Sequence, residues 1–337
     1  MTISRRALLA AAASLPVAVA GHGLAATALA QQFATGYHPR AESIADGIWM
    51  VRGADEAIAM TNGGAIANSA FIATDEGTIL FDPGPSREYA LALTALAEEV
   101  TGKPVTRVYV SHLHPDHALG AAGFAPELLH ALPETRRELV DEGEGFADGM
   151  YRILADWMKG TALVLPNGDV KPGDVTYGGR KLRLLALQGH SGGDLALLDH
   201  ATGTLIAGDL VFNNRAPATP HADIAAWQKS LTELAAVPHN ILLPGHGPLD
   251  TGGLNTGGLD TGGLDTGGQD AIAQTADWLG WLDGALHDAV AQGLDMAEAG
   301  NIAIPGRFAG VKLARYELQR SVSHFYPALE AELLPRL

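Results

Sequence analysis

The segment Ser111–Gly120, SHLHPDHALG, places three histidines and an aspartate within six residues, directly after the run VTRVYV. A run of that composition reads as a β-strand. Pro115 cannot continue a strand and fixes the local turn. In extended chain, side chains two apart point to the same side, so His112 and His114 can grip one ion together. Asp116 and His117 follow as the chain enters ALGAAG, where they can project towards a second ion. A fold that uses this segment must end a strand at a metal centre and bring further ligands to it from elsewhere.

Three later stretches have that form. Each is an apolar strand ending in a small-residue turn with one ligand: LLALQGHSGGD with His190, TLIAGDLV with Asp209, and ILLPGHGPL with His246. Their glycines let the backbone turn sharply and approach an ion. Taken singly, each side chain reads as a cap or an ordinary satisfied polar group. Together with His112–His117 they form a ligand set. The chain has no cysteine, which excludes thiolate sites and disulfides and leaves imidazole and carboxylate as ligands. A structural zinc is closed by four ligands; seven candidates exceed that need. Two ions at such a centre can share a hydroxide and clamp the reacting oxygens. Asp116 is the carboxylate best placed to orient that hydroxide or move its proton, and is the candidate catalytic residue.

The remaining sequence supplies the frame. GIWMVRG, AIANSAFIAT and GTILFDPG read as strands, the last two joined by a hairpin turn at Asp75-Glu76-Gly77. Ser86 caps a helix over SREYALALTALAEEV, and residues from about 133 to 159 read as helical. KLRLLAL, DLALLDH, GTLIAGDLV and NILLPGHG are further strands, with an amphipathic helix in ADIAAWQKSLTELAA. After Gln269 the chain turns helical to its end, with Trp278 and Trp281 read as core. The pattern predicts an α/β fold of sheets covered by helices. His38, His130, His200, His239 and His287 read as surface or helix-face residues, and His324 as packed in the C-terminal helix. FNNRAPATPHAD follows Asp209, so Asn213, Asn214, Arg215 and His221 are candidate substrate contacts. The plainer reading is a polar loop that places His221 and Asp223 at the start of the next helix.

Two segments stand outside that frame. TISRRALLAAAASLPVAVA has paired arginines before an apolar stretch and leads to ALA at 28–30, the form of a secretory signal, here of the twin-arginine type, over residues 1–30. This predicts export to the periplasm, with residues 31–337 forming one mature domain. No later segment is long and apolar enough to span a membrane, so no membrane anchor is expected in the mature form. Residues 250–270, DTGGLNTGGLDTGGLDTGGQD, form a near-perfect five-residue repeat, read as a solvated insertion between a strand end and a helix. The formal net charge of -16 argues against nucleic acid as a partner; a small-molecule substrate is expected instead.

His112, His114, Asp116 and His117, followed by His190, Asp209 and His246, resemble the H-x-H-x-D-H motif and later ligands of the metallo-β-lactamase fold superfamily. The resemblance covers about Ile48 to His246. It implies a four-layer αβ/βα sandwich, here with C-terminal helices, and a metal centre at one edge. Carried over, His112, His114 and His190 would hold one zinc and Asp116, His117 and His246 a second, with Asp209 bridging. Asp82, in FDPG, would support the site from behind the ligands. Asp209 stands where the best-known antibiotic-hydrolysing subclass carries cysteine, so the pattern is nearer to hydroxyacylglutathione hydrolases and lactonases. The implied activity is zinc-dependent hydrolysis of an ester, thioester, lactone or amide by attack of metal-bound hydroxide. Persulfide dioxygenases share much of the motif, which leaves a mono-iron, sulfur-handling oxygenase as the alternative enzyme. A looser likeness to zinc metallohydrolases of quinoprotein and sulfur-oxidation systems suggests association with a periplasmic redox system. A non-catalytic periplasmic metal-binding accessory protein is the remaining alternative.

Overall fold

Alternating apolar residues sort the strands of this chain into two sheets that share one core. The computed structural model describes residues 36–252 and 271–333. The expected signal and residues 253–270 of the repeat lie outside them. All elements below belong to the unit His38–Leu337.

The first sheet contains β1 (Ala41–Ala45), β2 (Ile48–Val51), β3 (Ser69–Thr74), β4 (Gly77–Phe81), β5 (Val105–Tyr109), β6 (Leu129–Ala131) and β7 (Gly168–Asp169), in chain order. Pairing is antiparallel as far as β4 and parallel beyond it. The register Thr74↔Gly77 closes the expected hairpin over Asp75 and Glu76. The second sheet contains β8 (Gly173–Tyr177), β9 (Arg180–Leu187), β10 (Asp194–Asp199), β11 (Thr204–Phe212) and β12 (Ile241–His246), in the order β12-β11-β10-β9-β8, with β11 and β12 parallel. Leu195, Leu197, Ile206 and Leu243 point into the space between the sheets and meet Ile48, Ile72, Ile79 and Phe81. Their sequence neighbours Ala196, Leu198, Leu205 and Ala207 point the other way, onto helices. That period of two is why β10 and β11 are buried throughout.

Helices form the outer layers. α1 (Arg87–Thr101) packs beside β4 and β5; Ser86 caps it by accepting from the Tyr89 amide, and Gly102, at φ 68°, ends it. α2 (Pro115–Ala118) is one turn, opened by Pro115. α3 (Pro133–Leu154) is shorter than the expected helix, which continues as a 3-10 turn over Ala155–Met158. α4 (Ile224–Ala235), capped by Asp223, and α5 (Ala271–Ala291) cover the second sheet through Trp227, Leu231, Leu234, Ile272 and Trp278. Trp278 is core as read, while Trp281 packs half-buried against it. The chain after α5 is not one helix. It makes α6 (Met296–Ala299) and then α7 (Ala314–Leu333), which buries Leu318, Val322 and Tyr326 against α5. The result is the four-layer αβ/βα sandwich with helices at its C-terminal end. Among the described residues, no helix is long and apolar enough to cross a membrane.

α3 has three internal glycines, each costing a helix about 1 kcal/mol relative to alanine. Gly143 has a packing reason, because a Cβ there would sit 2.5 Å from Leu163. At Gly145 and Gly149 an added Cβ would meet nothing within 4 Å.

The two sheets are tied together at Asn68, just before β3. Its Nδ2 donates to the Pro244 and Gly247 carbonyls at 2.8 and 2.9 Å, its Oδ1 accepts from the Gly53 amide at 3.0 Å, and its own amide donates to the Gly245 carbonyl at 2.8 Å. The strand expected from Ala65 therefore begins only at Ser69, since the backbone before it pairs across to the end of β12. Asn68→Ala leaves the buried Pro244 and Gly247 carbonyls without this partner, along with the half-buried Gly53 amide, and a buried unsatisfied group costs about 1–3 kcal/mol. The expected loss is about 2–4 kcal/mol, read as a lower urea midpoint with an unchanged slope.

Candidate metal centre

The strand expected to carry His112 and His114 ends earlier, at Tyr109. His112 and Leu113 form a bend, and Asp116 and His117 lie on α2. The bend still aims both histidines at one point. His112 Nε2 lies 3.0 Å from His114 Nδ1, which lies 2.8 Å from His190 Nε2. His190 comes from the loop between β9 and β10. Asp209 Oδ2, from within β11, is 3.3 Å from His190 Nε2 and 3.7 Å from His112 Nε2. A second group, Asp116, His117 and His246, forms on the other side of Asp209. His117 Nε2 is 3.0 Å from Asp209 Oδ1, and His246 Nε2, at the end of β12, is 3.3 Å from Asp209 Oδ2 and 3.4 Å from Asp116 Oδ2. The two groups meet at Asp209. Atoms held about 2.0–2.2 Å from one tetrahedral ion stand roughly 3.3–3.6 Å apart, and the distances in the first group, 2.8 to 3.7 Å, bracket that spacing. All seven side chains are buried.

The polar atoms behind the ligands fix their orientation. Asp82 accepts from the Ser111 amide at 2.7 Å and from Ser111 Oγ at 2.8 Å, and its Oδ2 is 2.7 Å from His117 Nδ1. Ser111 Oγ in turn meets His112 Nδ1 at 2.8 Å. His246 Nδ1 is 2.8 Å from the Ile66 carbonyl. The Asp82 and Ser111 contacts favour a ring proton on the outward nitrogens of His117 and His112, which turns Nε2 of each ring toward the centre. His114 is reversed: Nδ1 faces inward, while Nε2 meets His221 Nδ1 at 2.8 Å, and His221 Nε2 meets Glu142 Oε2 at 2.9 Å. His190 is held through its backbone. Asp194 accepts from the amides of His190 and Ser191 at 3.0 Å and from Ser191 Oγ at 2.7 Å. Asp82 sits at φ 60°, a strained conformation for a non-glycine residue and a hallmark of functional sites.

The electrostatics of the side chains match a site built for cations. Burial, with neighbouring imidazoles, holds His112 and His114 well below the ordinary histidine range, so both rings are neutral ligands at neutral pH. For His117 burial also lowers the pKa, but Asp209, Asp82 and Asp116 overcome it and hold the ring well above that range. Burial pushes Asp194 up to about 6. Asp209 Oδ1 and His190 Nδ1 are buried and make no well-aligned hydrogen bond. That Asp209 oxygen faces His117 Nε2 at 3.0 Å, and the other faces His112, His190 and His246, so the carboxylate stands between the two groups where cations would be shared. The donor set of five imidazoles and two carboxylates fits a dinuclear metal centre, a Lewis-acid pair able to activate water and a carbonyl.

Four residues after Asp209, namely Asn213, Asn214, Arg215 and His221, were candidate substrate contacts. Arg215 and His221 do line the cavity that opens over His114, Asp116, Asp209 and His246. Asn213 does not; its Nδ2 donates to the Pro248 carbonyl at 3.0 Å and its amide to His246 carbonyl at 3.0 Å, so it braces the loop that carries His246. Asn214 likewise braces, its carbonyl accepting from the Lys312 amide. Arg215 is buried with Nη1 against His246 Nδ1. Asp223 caps α4 as the plainer reading had it, and His221 adds its link to His114. Of the other histidines, His324 lies on α7 but exposed, not packed. Ser111, Asn68, Glu142 and Asp194 were not singled out by sequence; only Ser111 and Asp194, flanking ligand motifs, had a position to mark them.

The metallo-beta-lactamase superfamily model matches residues 62–246, more than half of the chain. The chain belongs to the metallo-beta-lactamase superfamily. Solved members share its fold. The metallo-beta-lactamase from Pontibacter korlensis superposes with a TM-score of 0.54 at 17% identity, covering 72% of this chain and 99% of that one. FIM-1 from Pseudomonas aeruginosa, in its mono-zinc form, gives 0.54 at 16%, covering 74% and 97%. The enzyme from Erythrobacter litoralis gives 0.52 at 20%, covering 72% and 96%. At these identities the likeness is one of fold. Superfamily membership and the His/Asp clusters together support a metal-dependent hydrolase.

His117 gives the centre a pH signature. Its raised pKa means that a metal must displace a proton, so apparent affinity for the second ion rises with pH until His117 deprotonates on its own. Calorimetry at pH 7 in buffers of different ionisation enthalpy should report about one proton released with that ion, and less at higher pH. Uptake without proton release at pH 7 would contradict the assignment of His117.

Proposed function

We propose that this chain is a dinuclear zinc hydrolase that cleaves an ester, thioester, lactone or amide. The observation that carries the reading is the second ligand group. Asp116, His117 and His246 are buried together beside Asp209, which supports a second ion; a single ion is already supplied with ligands by His112, His114, His190 and Asp209. Zinc is the ion that suits this all-imidazole and carboxylate set in a hydrolase, and the pair would supply an activated water and polarise the scissile carbonyl. His112, His114 and His190 would hold one ion. Asp116, His117 and His246 would hold the other, with Asp209 between them. Asp116 lines the cavity, where it can accept the proton of the attacking water and return it to the leaving group. Asp82 and Ser111 hold His112 and His117 in the ligating orientation. The twin-arginine-type leader supports export to the periplasm in folded form, with the metal already loaded, and action there on a small molecule.

The test is metal content together with turnover on a panel of ester, thioester, lactone and amide substrates. Two zinc ions per chain and hydrolysis of one panel class are expected. Asp116→Asn should lower that turnover by about 10²-fold or more. One iron per chain with oxygen consumption on a persulfide would replace this reading with the oxygenase. Two bound metals without turnover would favour an accessory protein.

A further inference from the structure

The cavity above the metal centre is two-sided, and its apolar side is built from one face of α3. Glu142, Gly145, Phe146, Gly149, Met150 and Ile153 fall on one face at spacings of three and four. The last five line the cavity, and Glu142 reaches its wall through His221. Phe146 marks the inner end, with its ring 6.3 Å from that of His114 and 5.7 Å from that of His221. Ile153, 51% exposed, marks the mouth. From Gly145 to Ile153 the helix rises about 12 Å. Ile58 and Ile66 also line the apolar side, and Ile58 packs with Phe146 and Met150.

The opposite side is charged. The Lys312 amide donates to the Asn214 carbonyl and the Ala216 amide to the Lys312 carbonyl, both at 2.9 Å, which delivers the start of α7 to the cavity. Tyr316, Glu317 and Arg320 of that helix line it with Arg215. Arg215 is 4% exposed, and its Nε has no partner. α7 lies beyond the residues matched by the superfamily model. The cavity encloses about 330 Å³, within the range of small-molecule sites.

Gly145 and Gly149 weaken α3 relative to alanine, yet no neighbour requires their lack of a Cβ. Both face the cavity, and their absent side chains leave a channel along the helix. We propose that this channel binds an unbranched apolar arm of the substrate, running from the metal centre along α3 to Ile153, while the polar part faces Arg215 and α7. The substrate class is then an acyl ester, thioester or lactone with a straight aliphatic chain. Which end meets the metals rests on the hydrolase reading; the channel itself does not.

The test uses the metal-loaded full chain and straight-chain carboxylates from acetate to decanoate, measured by calorimetry. Affinity should rise about fourfold per methylene from butyrate to octanoate, the ~0.8 kcal/mol of a buried CH₂. Gly149→Leu should reduce that increment to below twofold with unchanged metal content. Asp148→Leu, on the same helix but off the cavity, should leave it intact. Gly149→Ala, which fills less of the channel, should raise the thermal midpoint and so report that the helix tolerates a side chain there. Affinity independent of chain length would overturn the proposal, and so would an equal effect of Gly149→Leu and Asp148→Leu. Because the readout is binding, chain-length dependence without any turnover would refute hydrolysis and leave the channel standing. Turnover without chain-length dependence would do the reverse.

Discussion

Everything near the centre depends on one uncomfortable packing: five imidazoles and two carboxylates removed from water, in two groups whose ligand atoms lie within 4.8 Å of one another. Such a cluster is costly alone, because burying ionisable groups without full compensation is expensive. The side chains answer by splitting their protonation. His112 and His114 are held neutral, and His117 is held charged between Asp82, Asp116 and Asp209. Asp209 Oδ1 still lacks an aligned partner. Cations resolve that conflict, so the binding free energy of the metals is also stability of the fold around them.

The scaffold holds this cluster by using each sheet for half of it. His112, Asp116 and His117 follow β5 of the first sheet; His190, Asp209 and His246 come from the second. Asn68 fastens the end of β12 to the start of β3, and Asp82 fastens β4 to the ligand bend. The ligands are therefore positioned by strand ends that cannot move independently, which is the precision a two-ion site needs.

The sequence pointed to seven candidate ligands that the structure brings together, because each is a strong ligand type on or just after an apolar strand and near glycine or proline; Asp209 lies within β11, not at its end. The layered fold was legible for the strands with clear apolar runs. β1, β6, β7 and β8 were not, since β6 and β7 are two or three residues long and β8, GDVTY, is largely exposed. The C-terminal helix was read as starting too early because Gly310–Leu313 continues its apolar pattern while pairing with Asn214 and Ala216 instead. Glu142 and Asn68 were illegible for a different reason. Their roles depend on partners 79 and more than 170 residues away, and nothing in their immediate sequence announces those contacts. Asn213 misled because nearness in sequence to Asp209 does not fix which way a side chain turns.

The central claim is a pair of ions shared across Asp209. Anomalous diffraction at the zinc edge from crystals of the metal-loaded protein tests it most directly. The account predicts two peaks, one within about 2.0–2.2 Å of His112 Nε2, His114 Nδ1 and His190 Nε2, and one equally near His117 Nε2, His246 Nε2 and Asp116 Oδ2. A single peak in fully loaded crystals, or ions bound away from these nitrogens, would contradict it.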